Sequence, residues 1–496
     1  MKKHIHINLL CIAGFIIFIL MTPTCTSGNA QTTGNQQIFS CTATQVLDLV
    51  VTNSDDDTIS FIPGSSTGEF GTPHMYLCGQ NPVAIVSGDF NKDGYLDCAV
   101  TNWQTAQVSV LLGDGLGKFS PPQQHSVISY PYDITVGDFN EDDNLDLAVT
   151  NSDPDDHHSS VSVLFGDGNG GFSEKHDFLV GYGPTGIVTA DFNDDSNQDI
   201  AVANAFEGSI GILYGDGTGE FADCLYYPLD FGILDLGVGD FNHDFYPDLV
   251  TANQVDDMLV MLLGDGHGWF TSPIFFPVDG GGEPWQITLN DFDNDGNSDV
   301  AVTNELGNTV TVFLGDGTGG FKGNNNYPVG SLPIGIASAD FNSDTFPDIA
   351  VANAGDDLVI VLFNDGTGSF SNSLDISVGN APFGLVAGKF RTDTTPPTLS
   401  IQKPENALYI TNKKILPLNR PFIIGSIDLE VDTSDGETEI DHVDFYIDST
   451  LRYTDTQAPY SWTWSQRSFF FYKIQIVSYD IAGNSVSREK IVFKFL

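Results

Sequence analysis

Six nine-residue segments of the form Asp-Phe-Asx-x-Asp-x-x-x-Asp punctuate this 496-residue chain, and each sets oxygen-bearing side chains at its first, third, fifth and ninth positions. They are Asp89, Asn91, Asp93 and Asp97; Asp138, Asn140, Asp142 and Asp146; and Asp191, Asn193, Asp195 and Asp199. The remaining three are Asp240, Asn242, Asp244 and Asp248; Asp291, Asp293, Asp295 and Asp299; and Asp340, Asn342, Asp344 and Asp348. Calcium is a hard cation that takes six to eight oxygens from carboxylates, amide and backbone carbonyls, and water. The seventh position varies in type, from Tyr95 to Phe346, as suits a backbone carbonyl donor. No His or Cys joins the repeated positions, which argues against zinc or copper. Asp and Asn also favour tight turns, but a turn preference alone would not hold four positions through six copies while the residues between them change. A helix–loop–helix calcium hand is excluded, because it requires Glu at the twelfth position, where this chain has residues such as Val100 and Val149. The expectation is about six calcium ions per chain, bound by these 24 residues.

Such loops need a repeated scaffold. Their starts are spaced by 49, 53, 49, 51 and 49 residues. A second element, Gly-Asp-Gly-x-Gly-x-Phe, ends at Phe119, Phe172, Phe221, Phe270 and Phe321, with looser copies ending at Phe370 and Phe70. Between these markers apolar residues alternate with period two, as half-buried strands do, and the glycine turns join antiparallel neighbours. Four short strands per unit of about 49 residues, with no helical pattern between them, describe a β-propeller. The strand signature recurs once more as Asp48-Leu49-Val50-Val51-Thr52-Asn53 without a preceding first strand, and the missing strand appears at Phe383–Phe390. The fold class is therefore all-β, with a seven-bladed propeller whose closing blade is built from both ends of the repeat region. Closure in this way removes an open sheet edge. Lys389 and Arg391 stand where that blade's first and third ligands would be, so no seventh ion is expected; they would act as built-in cations near Asp48 and Asp393.

The chain has 66 acidic against 18 basic residues, a formal net charge of -48. From Thr398 onward there are 10 basic and 13 acidic residues (-3), so the preceding part carries 8 and 53 (-45). Such acidity repels phosphate backbones and anionic lipid heads, which excludes nucleic acid and membrane-surface binding by charge. Lys2 and Lys3 precede an apolar run from Ile7 to Met21 and the small residues Gly28-Asn29-Ala30, a pattern that reads as a signal peptide over residues 1–30. An uncleaved anchor or lipid attachment at Cys25 are the alternatives. The expected location is secreted or at the cell surface. Export leaves Cys41, Cys78, Cys98 and Cys224 in an oxidising compartment. Their pairing is not readable, and Cys98 takes a strand position that other repeats fill with Leu, Ile or Val.

Over roughly residues 40–391 the repeats resemble the FG-GAP and VCBS-type repeats of integrin alpha subunits and their microbial relatives. That resemblance implies a seven-bladed propeller with the acidic loop joining the first two strands of a blade. Only Gly94 and Gly296 keep a glycine at the sixth loop position, and the Phe-Gly and Gly-Ala-Pro elements are poorly kept, so no integrin-like ligand is implied. Residues 392–397 read as a linker. Beyond it, Ile440–Tyr446, Ala458-Pro459-Tyr460-Ser461-Trp462 and Tyr479–Asn484 resemble bacterial and archaeal immunoglobulin-like modules over 398–496, which usually act as spacers. Trp462 and Trp464 are expected in that sandwich's core, and His157-His158 at the surface. No nucleophile elbow, phosphate loop, zinc-protease motif or dinucleotide fingerprint occurs in a supporting context. The functional expectation is a non-catalytic adhesion or ligand-binding protein for an extracellular protein or glycan. The alternative is a polysaccharide-active lyase or hydrolase, or its carbohydrate-binding accessory. Recognition is expected on the loops that vary between blades, including Asn102-Trp103-Gln104, Ser152–Asp156, Ala205-Phe206-Glu207 and Glu283-Pro284-Trp285, with Trp103 and Trp285 as contact residues or as plugs of the central channel.

Overall fold

Runs such as Asp-Ile-Ala-Val-Ala-Asn, polar at both ends and apolar between, are buried on both faces, and this decides the architecture. The computed structural model describes residues 46–495 apart from 153–158, 280–281, 392–396, 436–439, 468 and 481–484. The segment read as a signal peptide, Cys25, Cys41, most of the 152–156 loop, His157-His158, Asp393, most of the linker and the end of the Tyr479–Asn484 segment thus fall outside the described residues. Among those described, seven four-stranded antiparallel sheets account for residues 48–388. Blades 1 to 6 begin with the innermost strands Pro82–Gly88, Pro131–Gly137, Pro184–Ala190, Ile233–Gly239, Pro284–Asn290 and Pro333–Ala339. Each innermost strand neighbours the next, and Pro382–Gly388 closes the cycle between the sixth and the first.

Blade 7 combines both ends of the repeat region as expected. Pro382–Gly388 pairs antiparallel with Asp48–Asn53, in the register Asp48↔Gly388 and Val50↔Val386, followed outward by Thr58–Ile62 and His74–Leu77. Second strands are buried along their whole length because each blade face packs on a neighbouring blade. Seven apolar clusters result, one at each blade–blade interface, for example Val161, Phe165, Ile187 and Val202 between blades 2 and 3. Cys98 and Cys78 lie in the cluster between blades 7 and 1, and these two and Cys224 are free thiols.

The sequence segment beyond 397 forms a three-stranded and a seven-stranded sheet around a separate core of Tyr409, Phe445, Trp464 and Ile474. Trp464 is buried there and Trp462 packs against Phe445 and Tyr453, as core residues rather than a surface platform. Among the described residues no helix is long and apolar enough to cross a membrane.

Candidate functional site

The six acidic loops connect the first and second strands of blades 1 to 6, on the same end of the ring as the glycine turns. All six share one backbone path. The fourth residue has φ between 56° and 61° and the sixth between 65° and 88° in every copy, whatever the side chain. Gly94 and Gly296 adopt this left-handed conformation freely, but Phe245 and Thr345 do so at roughly 1–3 kcal/mol each. The absent glycines therefore did not alter the loop; the carboxylates hold it.

In loop 1 the Asp89 oxygens accept hydrogen bonds from the amides of Asp93 (3.0 Å) and Gly94 (2.9 Å). Asn91 Oδ1 accepts the same Asp93 amide (3.0 Å), and Asp93 Oδ1 accepts that of Tyr95 (2.9 Å). The same bonds recur around Asp142 and Asp344. First, third and fifth side chains thus converge on one point at the surface. Both Asp89 oxygens and Asp93 Oδ1 each spend one lone pair on the backbone, and Asp93 Oδ2 accepts from Asn91 Nδ2 (2.9 Å), so each carboxylate oxygen keeps another. In loop 5, oxygens of Asp291, Asp293 and Asp299 lie within 4.8 Å of one another. Lys322, from the outer strand of the same blade, pairs with Asp295 and lies 3.5 Å from Asp293. That internal cation was not anticipated from sequence.

The ninth residue has a second task. Asp97 is fully buried, with Oδ2 accepting the Phe90 amide (2.9 Å) and Oδ1 the Gly113 amide (2.7 Å), so it joins the acidic loop to the glycine turn. Asp146, Asp199, Asp248, Asp299 and Asp348 do the same. Burial pushes Asp97, Asp146, Asp199, Asp248 and Asp348 up to about 7 and Asp299 to about 6, against the lowering effect of these amides.

Blade 7 gives the counterpart. Asp48 occupies the ninth position and accepts the Gly64 amide (3.0 Å), but no acidic loop faces it. Arg391 Nε lies 3.0 and 3.1 Å from the two Asp48 oxygens, and Nη2 bonds the same carboxylate and the Gly64 carbonyl (2.7 Å). Both side chains are buried, Asp48 1% and Arg391 4% exposed. A guanidinium supplied by the chain meets the carboxylate that in the other blades borders the loop.

The glycine-turn aspartates are spent locally. Asp114 Oδ1 accepts the amides of Leu116 and Lys118, and Asp216 that of Thr218, which is ordinary turn chemistry. The second loop position, read only as part of a motif, carries a further function. Phe90, Phe139, Phe192, Phe241, Phe292, Phe341 and Phe390 each meet the terminal Phe of a neighbouring blade's glycine turn edge-on, at 5.6–6.3 Å. The acidic loops are thereby latched across every blade interface.

Trp103 is 36% exposed on the opposite end of the ring and packs at a tilt against Tyr130. Trp285 is not an exposed contact: it faces the axial channel edge-on to Phe383 (6.2 Å), because its strand position points to the axis. With Tyr132, Asp133 and Asp235 it encloses a cavity of about 30 Å³. Asp133 accepts the Ile187 amide (3.0 Å) and Asp235 the Ile287 amide (2.8 Å), each from the next blade. Part of each side chain faces the channel, yet protein surrounds both, and burial raises both carboxyls, that of Asp235 further through the charge of Asp133.

Comparison with known proteins agrees with this geometry. The FG-GAP-like repeat family matches residues 44–100, 89–149, 240–302 and 291–351, and the bacterial Ig domain family matches 397–475. The chain thus carries FG-GAP-like repeats followed by a bacterial Ig domain. Among solved structures, a putative 6-phosphogluconolactonase from Bacteroides fragilis is similar at 15% identity and TM-score 0.55, covering 70% of this chain and 99% of that one. The periplasmic gluconolactonase of Pseudomonas aeruginosa is similar at 15% identity and TM-score 0.54, covering 69% and 98%. An Agrocybe aegerita lectin specific for non-reducing terminal N-acetylglucosamine gives 18% identity and TM-score 0.49, covering 70% and 96%. At these identities the first two speak for the fold of the FG-GAP-like part alone, and the third carries no argument. No curated protein matches the chain.

Proposed function

We propose that this FG-GAP-like repeat protein is an exported, calcium-loaded propeller that binds an extracellular ligand and performs no catalysis. The observation that carries the reading is the division between the two ends of the ring. One end repeats a single loop geometry six times, while the other presents side chains that differ from blade to blade. Six equivalent sites suit scaffold ions, whereas a catalytic metal would mark one site with an open position. The donor set is all oxygen, which fits calcium. The Arg391 guanidinium on Asp48 supports the presence of cations elsewhere, since the one blade without an acidic loop supplies its own. Asp89, Asn91 and Asp93 and their counterparts would hold the ion in each loop, with Asp97 and its counterparts bordering it. Bound calcium would neutralise the loop carboxylates and fix the latches at the blade interfaces. The channel carboxylates do not favour an enzyme, because each accepts a backbone amide from the next blade, Asp133 also that of Ile134, and the cavity is too small for a sugar ring.

The test is a binding screen of the mature chain against glycans and matrix proteins, with calcium and with chelator, alongside elemental analysis. Extracellular sites with dissociation constants on the order of 10⁻⁴ M would each add about 1.4 kcal/mol at millimolar calcium, or about 8 kcal/mol over six. Dialysed protein free of calcium, or an unchanged melting temperature in chelator, refutes the metal reading. Depolymerisation of a polysaccharide, lost on changing one carboxylate, refutes the binding reading.

A further inference from the structure

The turns between second and third strands and the connections between blades share the ring end opposite the acidic loops. Among the described residues, 54–57, 78–81, 103–106, 127–130, 152, 159, 180–183, 205–208, 229–232, 254–257, 278–279, 282–283, 305–308, 329–332, 354–357 and 378–381 together hold 12 acidic residues and no Lys or Arg. The four lysines between residues 31 and 388, at positions 92, 118, 175 and 322, all lie elsewhere, in an acidic loop, a glycine turn or outer strands.

Within this cation-free surface, large apolar side chains stand out of the fold along an arc over blades 3 to 5. Phe206, Phe231, Val255 and Leu306 are 53%, 65%, 68% and 60% exposed. Each is seated on its own turn: Phe206 packs at a tilt against Tyr182 and covers Gly183, Val255 covers Gly232, which follows Phe231, and Leu306 lies beside Gly282. Between Val255 and Leu306 runs a groove of about 440 Å³, whose floor and sides include Gln254, Asp257 and Glu283. The Glu283 amide donates to Asp257 Oδ1 (2.8 Å) and Gln254 Nε2 donates to Glu283 Oε2 (3.3 Å), so the groove wall is ordered from within. Glu305 stands close by, its carboxyl raised by burial and by the charge of Glu283. Exposed apolar groups normally scatter singly on a soluble surface, and a set gathered on neighbouring turns, two of them lining one groove, marks an interaction site.

We infer that this arc, centred on the groove between Val255 and Leu306, receives a cationic amphipathic polypeptide segment, its Lys or Arg entering between Glu283, Glu305 and Asp257 while its apolar side chains lie along Phe206 and Phe231. The inference rests on the binding role of this face proposed above and adds the partner's chemistry. Charge complementarity decides it. Among its described residues the surface offers carboxylates and no compensating Lys or Arg, so a neutral glycan would leave them as they are, an acidic partner would be repelled, and a basic one gains both steering and pairing.

The experiment uses the full calcium-loaded chain and three fluorescent probes in anisotropy titrations. The probes are a Lys/Leu amphipathic peptide, a Lys/Gly peptide of equal charge, and a Glu/Leu peptide of equal apolar content; chito-oligosaccharide is a fourth ligand. The expected order is Lys/Leu well above Lys/Gly, with no binding of Glu/Leu. Glu283→Gln with Glu305→Gln weakens Lys/Leu binding about tenfold, as does Leu306→Ser. The same charge change at Glu69→Gln with Glu174→Gln, outside this face, changes it less than about twofold. Equal binding of Lys/Leu and Lys/Gly, or equal effects of the two charge-neutralising pairs, overturns the inference by showing unspecific attraction to an acidic chain. Oligosaccharide binding that Leu306→Ser abolishes, with no preference for Lys/Leu, overturns the partner class yet keeps this face as the binding site. Insensitivity of every bound probe to these variants overturns both.

Discussion

Replacing Arg391 with Met isolates the link between the two ends of the repeat region. The variant removes the Nε and Nη2 bonds to Asp48 and the bond to the Gly64 carbonyl, and leaves Asp48 1% exposed. The Gly64 amide at 3.0 Å and the Phe390 amide remain as its partners. Removing one member of a buried ion pair costs about 3–5 kcal/mol, chiefly because the other charge stays buried without its partner. In a body of this size about 2 °C of melting temperature corresponds to each kcal/mol, so a loss of roughly 6–10 °C is expected. Burial pushes the Asp48 carboxyl upward and the Arg391 charge pulls it down. Burial already outweighs that pull and holds the carboxyl above its ordinary value; with Arg391 gone, only the Gly64 and Phe390 amides oppose burial and the folded carboxyl rises further. The folded variant then binds the extra proton, its stability is greatest at low pH, and the penalty grows as pH rises. The assay is calorimetry and guanidinium unfolding of the calcium-loaded chain at pH 5 and pH 8, with Asp48→Asn/Arg391→Met as companion. The double variant, carrying no buried charge, should recover more than half of the loss. A single variant that loses less than about 1 kcal/mol, or a double variant no better than the single, refutes the reasoning.

Three further outcomes are expected. In chelator, stability falls as pH rises from about 4 to about 7, because burial raises the folded pKa of Asp97 and its five counterparts above their unfolded value; calcium flattens this slope, and an increase over the same window in thermal melts would contradict it. Lys322→Gln raises the terbium or calcium affinity of the loop 5 site several-fold by freeing Asp293 and Asp295, and leaves the other five sites unchanged in luminescence titrations. Phe292→Ala opens the latch to Phe370 and costs about 3–5 kcal/mol by denaturant unfolding.

Sequence spacing disclosed the strands, the turns and the two-ended blade because each depends on local chemistry: period-two burial, positive-φ glycines, and an unmatched Asp48–Asn53 strand with its partner at the far end. The pairing of Arg391 with Asp48 was legible for the same reason, since a cation stood at a fixed position of a repeated motif. The double task of Asp97 was hidden, because its second partner, Gly113, lies 16 residues away and is found only once the strands are paired. Lys322 was hidden likewise; its register on the outer strand sets it beside Asp295 across 27 residues. The direction of Trp285 toward the axis depends on the phase of an innermost strand, which alternation alone does not distinguish from the phase of an exposed one. Missing glycines at the sixth loop position suggested divergence, yet the backbone at Thr345 matches that at Gly94.

The two-ended blade also determines how the ring can be held. Asp48 and Gly388 are register partners at the loop end of blade 7, so the chain enters and leaves the propeller side by side, beside the acidic loops. Any tether through the preceding segment, the following sandwich, or both pulls on that end alone. The cation-free, apolar-studded end then points away from the point of attachment, as a palm does when an arm is held at the wrist. Tension on either tether meets the Asp48–Arg391 pair and the ladder between Asp48–Asn53 and Pro382–Gly388 before it reaches the blades beyond their neighbours.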